Sequence, residues 1–211
     1  MRITEIFHSI QGESSHAGKP CVFVRLTGCS LRCVWCDTKY SYSGGTAMSL
    51  DEVMKTIASY RTRLVEITGG EPLEQDDAYA LMELLLANHY VVMLETGGHI
   101  AVDRVPREVI KIIDVKCPDS GEGETFCKEN IDLAQEHDEF KFVIASRKDY
   151  EWSRDMVMQD FQGKPNTILF SPAHGDLDPK ALSEWVLSDN LPVRVQLQLH
   201  KYIWGADVRG V

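Results

Sequence analysis

Cys29-Ser30-Leu31-Arg32-Cys33-Val34-Trp35-Cys36-Asp37-Thr38 places three thiols in eight residues, spaced C-x₃-C-x₂-C, just after the apolar run Val22–Leu26. Three is the wrong number for a closed tetrahedral zinc site, which takes four ligands. It also leaves one thiol over from any internal disulfide. Three thiolates suit a cubane [4Fe-4S] cluster, each holding one iron while the fourth iron stays open to a ligand. An open iron implies chemistry rather than electron storage. On spacing alone, a zinc site completed by a distant histidine stands beside this reading.

Outward from the cysteine run, short apolar and β-branched stretches alternate with amphipathic ones. Val22–Leu26, Leu64–Ile67, Val91–Glu95, Ile110–Val115, Phe140–Ile144, Thr167–Phe170 and Val193–Leu197 are predicted strands. Ser49-Leu-Asp-Glu52 is a capping box that opens a helix to about Tyr60. Asp77 to about Asn88 and Asp149 to Met158 read as helices, and Asp178-Pro179 starts another that runs to about Ser188. The alternation predicts an α/β fold with parallel strands and right-handed crossovers. About six such units fall short of the eight in a complete barrel, so the expected architecture is a partial, open β/α barrel. Thr96 to Val109 is too short and too rich in Gly and Pro for a crossover helix, so some crossover helices are reduced. In such sheets the site lies at the carboxyl ends of the strands. Gly28-Cys29, Thr68-Gly-Gly-Glu71-Pro72, Glu95-Thr-Gly-Gly98, Asp114-Val-Lys116, Ser171-Pro-Ala-His174 and Gln198-Leu-His200-Lys201 all fall there.

The chain has 211 residues, 44% of them hydrophobic, which suits a single domain over residues 1–211. No apolar run is long enough to span a bilayer, and the opening Met1-Arg-Ile-Thr-Glu-Ile-Phe lacks the pattern of a secretory leader. Six cysteines are too few for a disulfide scaffold of this length, so a reducing cytoplasmic setting is expected. The net charge of −10 argues against a general nucleic-acid surface, which needs clustered Lys and Arg. An anionic ligand must be met by a few local cations.

Thr68-Gly69-Gly70-Glu71-Pro72 has two glycines that expose backbone polar groups to a close ligand, and a glutamate able to accept from an ammonium group. Alone it could be a plain strand-to-helix turn. With the cysteine triplet, the chain resembles the radical S-adenosylmethionine superfamily. The opening Glu5-Ile-Phe-His-Ser-Ile-Gln11-Gly12-Glu13-Ser14 narrows the likeness, with Phe23-Val-Arg25-Leu-Thr-Gly-Cys29, Trp35-Cys36-Asp37-Thr38 and Gln198-Leu-His200-Lys201-Tyr202. Together they resemble the 7-carboxy-7-deazaguanine synthases almost end to end. Ser14 replaces a common glycine, and nine residues follow Tyr202.

The resemblance implies a partial barrel of the radical S-adenosylmethionine type, with Cys29, Cys33 and Cys36 on the [4Fe-4S] cluster. It implies that Trp35, Cys36, Asp37, Gly70, Glu71, Asp114, Val115, Lys116, Ser171, Pro172, Ala173 and His174 contact S-adenosylmethionine. At Asp114-Val115-Lys116 many members have Ser-Pro-Lys instead. It assigns Ile10, Gln11, Gly12, Arg25, Thr68 and His200 to a carboxypterin substrate, with Arg25 on the substrate carboxylate, and Thr38 to Mg²⁺. The implied activity is ring contraction of 6-carboxy-5,6,7,8-tetrahydropterin to 7-carboxy-7-deazaguanine with loss of ammonia, in 7-deazapurine (queuosine) biosynthesis. No protein acid or base is assigned as the central catalyst. The implied partners are a low-potential electron donor such as flavodoxin or ferredoxin and a second copy in a homodimer. A glycyl-radical activating enzyme and a non-enzymatic zinc module are the alternatives. Protein prepared without oxygen is expected to bind about four irons and four sulfides. Alanine at Cys29, Cys33 or Cys36 abolishes that content and alanine at Cys117 or Cys127 leaves it, as iron and sulfide analysis will show.

Overall fold

Strict alternation along the strands gives this sheet two different faces. The computed structural model describes residues 1–211, in nine strands and six α-helices. In chain order they are β1 (Arg2–Ile10), β2 (Pro20–Leu26), β3 (Thr46–Ala47), α1 (Leu50–Ala58), β4 (Leu64–Gly69), α2 (Asp76–Ala87), β5 (Val91–Thr96), β6 (Ile110–Asp114), α3 (Asn130–Leu133), β7 (Glu139–Ile144), α4 (Arg147–Asp160), β8 (Thr167–Pro172), α5 (Pro179–Ser188), β9 (Arg194–Val195) and α6 (Leu199–Trp204). One sheet runs β3-β1-β2-β4-β5-β6-β7-β8-β9, parallel from β2 to β9 and antiparallel at β3, β1 and β2. Its two ends do not pair, so the barrel is open.

On the outer face, Val22, Val24, Leu26, Val65, Ile67, Val92, Leu94, Phe140, Phe142 and Phe170 are buried against the helices in a core of 35 residues. The helices supply residues at helical spacing, such as Val53 and Ile57 of α1 and Leu81, Met82 and Leu85 of α2. The inner face is apolar mainly at the amino ends of the strands, where Cys21, Phe23, Leu64, Met93 and Ile112 form a separate small cluster. One or two inward positions further along stand Arg25, Glu66, Thr68, Glu95, Asp114 and Lys141. Fully covered parallel strands usually read as apolar on both faces. Here the inner face turns polar toward the carboxyl ends, where the cavity lies.

Most predicted elements are present, with shifted ends. The helix expected over 149–158 is α4, N-capped by Ser146, whose side chain accepts from the Asp149 N–H. The stretch expected to lose its helix, 96–109, has none. Asn130 holds it instead, accepting from the Val102 N–H at 3.0 Å and donating to the Gly98 and Ile100 carbonyls at 3.1 Å. The strand expected at Val193–Leu197 contracts to the two residues of β9. The N-terminal segment, legible only as a motif, is a nine-residue strand, β1, with a register shift between Ile3 and Glu5 that blurs its alternation. The loop after β1 bridges the open side of the barrel. Ser14 N–H donates to Gln196 Oε1 at 2.8 Å, Gln198 Nε2 to Glu13 Oε1 at 2.9 Å and Leu199 N–H to the Gly12 carbonyl at 2.9 Å. No helix is long and apolar enough to cross a membrane.

The base of β6 depends on a buried ion pair. Lys111 Nζ lies 2.9 Å from Asp138 Oδ2, with side chains 2% and 0% exposed, and Asp138 Oδ1 also accepts from the Lys111 N–H. Asp138→Ala leaves that ammonium buried and unpaired, so a loss of about 3–5 kcal/mol is expected. Urea denaturation of parent and variant will measure it.

Candidate active site

Three loops meet at the carboxyl ends of β2, β4 and β5, and backbone contacts lock them together. Gly28 takes φ +104°, which favours glycine, and turns the chain into the cysteine loop. Its carbonyl accepts from the Glu71 N–H at 2.7 Å, and the Leu26 carbonyl accepts from the Gly70 N–H at 3.1 Å. A Cβ on Gly70 would stand 1.9 Å from the Gly28 oxygen. Gly70 is therefore glycine so that the two loops can touch. Glu71 extends the lock to the third loop. Its carboxylate, fully buried, accepts from Leu73 N–H at 3.0 Å, Thr96 Oγ1 at 2.9 Å and Gly97 N–H at 2.7 Å. Burial pushes its carboxyl up, and the Leu73 and Gly97 N–H groups oppose this.

The cysteine loop lies over the cavity on hydrogen bonds from its backbone. Ser30 N–H donates to Glu74 Oε1 at 2.8 Å, Arg32 N–H to Glu122 Oε1 at 2.6 Å and Val34 N–H to the Ser120 carbonyl at 2.9 Å. Cys29, Cys33 and Cys36 are free thiols at the cavity wall, none of them buried out of reach. Burial pushes Cys29 up to about 11, and it pushes Cys33 up while Lys116 opposes. The Tyr42 hydroxyl is also pushed up, first by burial, then by a hydrogen bond to Cys36 and the charges of all three cysteines. All three thiols and Tyr42 line the same cavity. No three His, Cys, Asp or Glu side chains come close enough to hold a single ion. The thiols therefore fit a group wider than one metal ion, with a fourth side open to the cavity, as a [4Fe-4S] cluster requires. Magnesium fits less well: the Thr38 hydroxyl lies 3.6 Å from Cys36 Sγ, and the neighbouring Asp37 carboxylate pairs with Lys201 at 2.9 Å. The protein by itself builds no Mg²⁺ cage there.

Beneath the cysteines lies a cavity of about 520 Å³. Its floor holds a lysine among carboxylates. Lys141 Nζ stands 3.0 Å from Glu13 and 3.2 Å from Asp114, in contact also with Glu95. Burial alone would pull this ammonium down; Asp114, Glu13 and Glu95 hold it well above its ordinary value. Burial would likewise raise Asp114, but Lys116, at 2.5 Å, and Lys141 keep it low. Arg25 reaches in from β2. Its Nε donates to Glu5 Oε1 at 2.8 Å, its guanidinium lies near the Phe7 and Tyr40 rings, and its side chain is 15% exposed. Its Nη edge makes no hydrogen bond within the protein.

Of the residues singled out in the sequence, Ile10, Gln11, Gly12, Arg25, Trp35, Asp37, Thr38, Thr68, Gly70, Asp114, Lys116, Ala173, His174 and His200 line this cavity with the three cysteines. Four do not. Val115 is 1% exposed and packs in the main core, because alternation turns it away from Asp114. Ser171 and Pro172 are buried within β8, leaving only its exit, Ala173-His174, at the cavity. Glu71, expected to accept from an ammonium group, spends both carboxylate oxygens on the protein. His200 packs on Gly12: a Cβ there would sit 2.1 Å from its Nδ1. Burial pulls the His200 imidazole down, against the opposing charge of Glu13. Glu95 and Lys201, in segments already placed at the strand ends, line the cavity too, and Glu66 and Lys141 also line it and were missed. Their signal was a charged residue at an inward position of an apolar strand, as in Leu64-Val-Glu66-Ile and Phe140-Lys141-Phe142.

A cysteine triplet over a cavity at the carboxyl end of an open, mostly parallel barrel defines a radical S-adenosylmethionine enzyme. The profile of the Radical SAM superfamily matches residues 23–116. The chain is 51% identical over 215 residues to a 7-carboxy-7-deazaguanine synthase of Chlorobaculum tepidum, covering all of this chain and 97% of that one. It is 48% identical over 226 residues to one of Koribacter versatilis, with both chains fully covered. The crystal structure of QueE from Escherichia coli superposes with a TM-score of 0.79 at 26% identity, covering 94% of each chain. The chain belongs to the 7-carboxy-7-deazaguanine synthase family.

The Gly70–Gly28 contact has a direct test. Gly70→Ala forces the cysteine loop off the turn, so reconstituted protein should hold less iron and lose about 1–3 kcal/mol, as overpacking does. Gly97→Ala, whose Cβ meets only side-chain atoms at 3.0–3.2 Å, should be milder. Iron per chain and urea midpoints for both variants decide it. Equal effects would show that the backbone contact is not what matters.

Proposed function

We propose that the chain contracts 6-carboxy-5,6,7,8-tetrahydropterin to 7-carboxy-7-deazaguanine with loss of ammonia, in 7-deazapurine (queuosine) biosynthesis. The observation that carries this reading is full-length similarity to synthases of that name, 51% and 48% identical. The cavity agrees: it is large enough for a bicyclic ring beside a nucleoside and carries Arg25 with a free bidentate edge.

A [4Fe-4S] cluster on Cys29, Cys33 and Cys36, with S-adenosylmethionine on it, supplies radical hydrogen abstraction when bound. The protein's own work is orientation and charge. Arg25 clamps the substrate carboxylate; its guanidinium is already aimed into the cavity by Glu5 on the neighbouring strand. Gln11, Gly12 and His200 hold the ring, with Thr68 at its side, and Ile10 contributes its backbone. Gly70, Trp35, Asp37, Lys116, Ala173 and His174 border the space for S-adenosylmethionine, and Asp114 fixes Lys116. Lys141 keeps the floor from becoming a bare cluster of anions. Mg²⁺ enters this reading with the substrate, whose carboxylate and waters would complete what the Thr38 hydroxyl offers. The electron donor is a flavodoxin or ferredoxin meeting the cysteine loop, where Val34 is 63% exposed. The protein works in the cytoplasm as a homodimer, a second copy covering the exposed Tyr202, Ile203 and Trp204 of α6.

The test is reconstitution without oxygen, then assay of the carboxypterin with S-adenosylmethionine and dithionite; no 7-carboxy-7-deazaguanine from fully loaded protein would refute the reading. Arg25→Ala should weaken carboxypterin binding by about 2–3 kcal/mol, the low end for losing one member of a charge pair, since Glu5 already partners Nε. Uncoupled cleavage of S-adenosylmethionine should survive. Unchanged pterin affinity would remove the carboxylate clamp and favour an activating enzyme acting on a protein partner.

A further inference from the structure

Glu66 is the one floor carboxyl with no cation of its own. It sits in the middle of β4, level with Phe23 and Met93 on the flanking strands, 3% exposed, on the cavity wall. Glu13, Glu95 and Asp114 all pair with Lys141, and Glu5 pairs with Arg25. Glu66 forms no salt bridge. Its single protein contact is through Oε2, which accepts from Gln11 Nε2. That amide is locked, because Gln11 Oε1 accepts in turn from the Glu13 N–H at 3.1 Å. Gln11 therefore presents N–H to Glu66 and cannot flip without leaving two donors face to face. Glu66 Oε1 has no protein partner and faces the cavity.

We propose that Glu66 meets the substrate as a protonated carboxyl, its Oε1–H donating to the carbonyl oxygen of the pyrimidinone ring, and that this contact selects a ring with an acceptor at that position. The inference rests on the pterin reading of the cavity. With Oε2 taken as an acceptor by Gln11, the proton belongs on Oε1. A negative charge here would be buried without an ion-pair partner beside two other carboxylates, Glu13 and Glu95, which is the situation that neutralises an acid. The titratable and charged groups facing Glu66 are Cys21 and Arg25 on β2, Glu95 on β5, Lys141 on β7 and Glu13 in the loop after β1. Burial first and Glu95 second push the Glu66 carboxyl well above its ordinary value, with Lys141 opposing. A neutral donor also avoids repelling the carboxylate of the substrate.

The experiment titrates 6-carboxytetrahydropterin into reconstituted holoenzyme, parent and variants, across pH. Glu66→Ala should lower affinity about tenfold or more, the range for a lost buried hydrogen bond. Glu66→Gln retains both an acceptor for Gln11 and a donor toward the cavity, so it should recover most of that loss. Parent affinity should fall as pH rises through the raised Glu66 value, and this limb should be missing from Glu66→Gln. The parent should disfavour the 4-amino analogue of the substrate, and Glu66→Ala should discriminate less. Infrared difference spectra at neutral pH should show a carboxylic-acid carbonyl band in the parent that Glu66→Gln lacks, a readout that holds even if Glu66→Ala fails to fold. Absence of that band, or Glu66→Gln binding as weakly as Glu66→Ala, overturns the proposal. A parent that binds no carboxypterin at all defeats the pterin reading instead.

Discussion

The contact on which the site depends is between two backbones. The Gly28 carbonyl accepts from the Glu71 N–H, and Gly70 lies so close to the same oxygen that no side chain is tolerated. It joins the loop carrying the three thiols to the turn that follows β4. Glu71 then passes the constraint to the loop after β5 through Thr96 and Gly97. Loops are ordinarily the mobile parts of a β/α fold. Here three of them hold one another by short-range backbone geometry. A site assembled from three separate loops depends on that preorganisation.

Below the loops, electrostatics replaces packing. The sheet's outer face is a continuous apolar core, and its inner face is apolar mainly near the amino ends of the strands. Toward the carboxyl ends the same inward positions carry Arg25, Glu66, Glu95, Asp114 and Lys141. Carboxylates outnumber cations on this floor, and each charged group except Glu66 forms a salt bridge. Such an arrangement is expensive to bury, and the missing strand pairing on the open side keeps part of it near water. The loop after β1 and the start of α6 close that side, which brings Gly12, Glu13 and His200 to the same wall although nearly the whole chain separates them.

Much of this was legible in the residues. The alternation of strands with helices gave the open β/α barrel and the lost helix after β5, and the family resemblance carried by the motifs gave most of the cavity lining. β1 escaped because its register shift breaks the alternation that marks a strand. Val115, Ser171 and Pro172 were placed at the site by the family resemblance of their segments, which does not say which way each side chain turns. A strand turns neighbours to opposite faces, and a strand's last residues can stay inside the sheet. Glu71 was read from its turn and the resemblance, and neither shows that Leu73, Thr96 and Gly97 donate to its carboxylate.

The sequence by itself determined what is local. It set which segments are strands and helices through periodicity, where the turns lie through glycine and proline, and which three thiols share one loop, because these depend on residues a few positions apart. Only the tertiary structure decided what is shared between distant segments: that Gly70 must touch Gly28, that Glu71 accepts from Thr96 and Gly97, that Lys141 answers Glu13, Glu95 and Asp114, and that Glu66 forms no salt bridge. Charge state and partner choice in a buried site are set by everything within a few ångströms, and those neighbours come from strands that the chain order separates by dozens of residues.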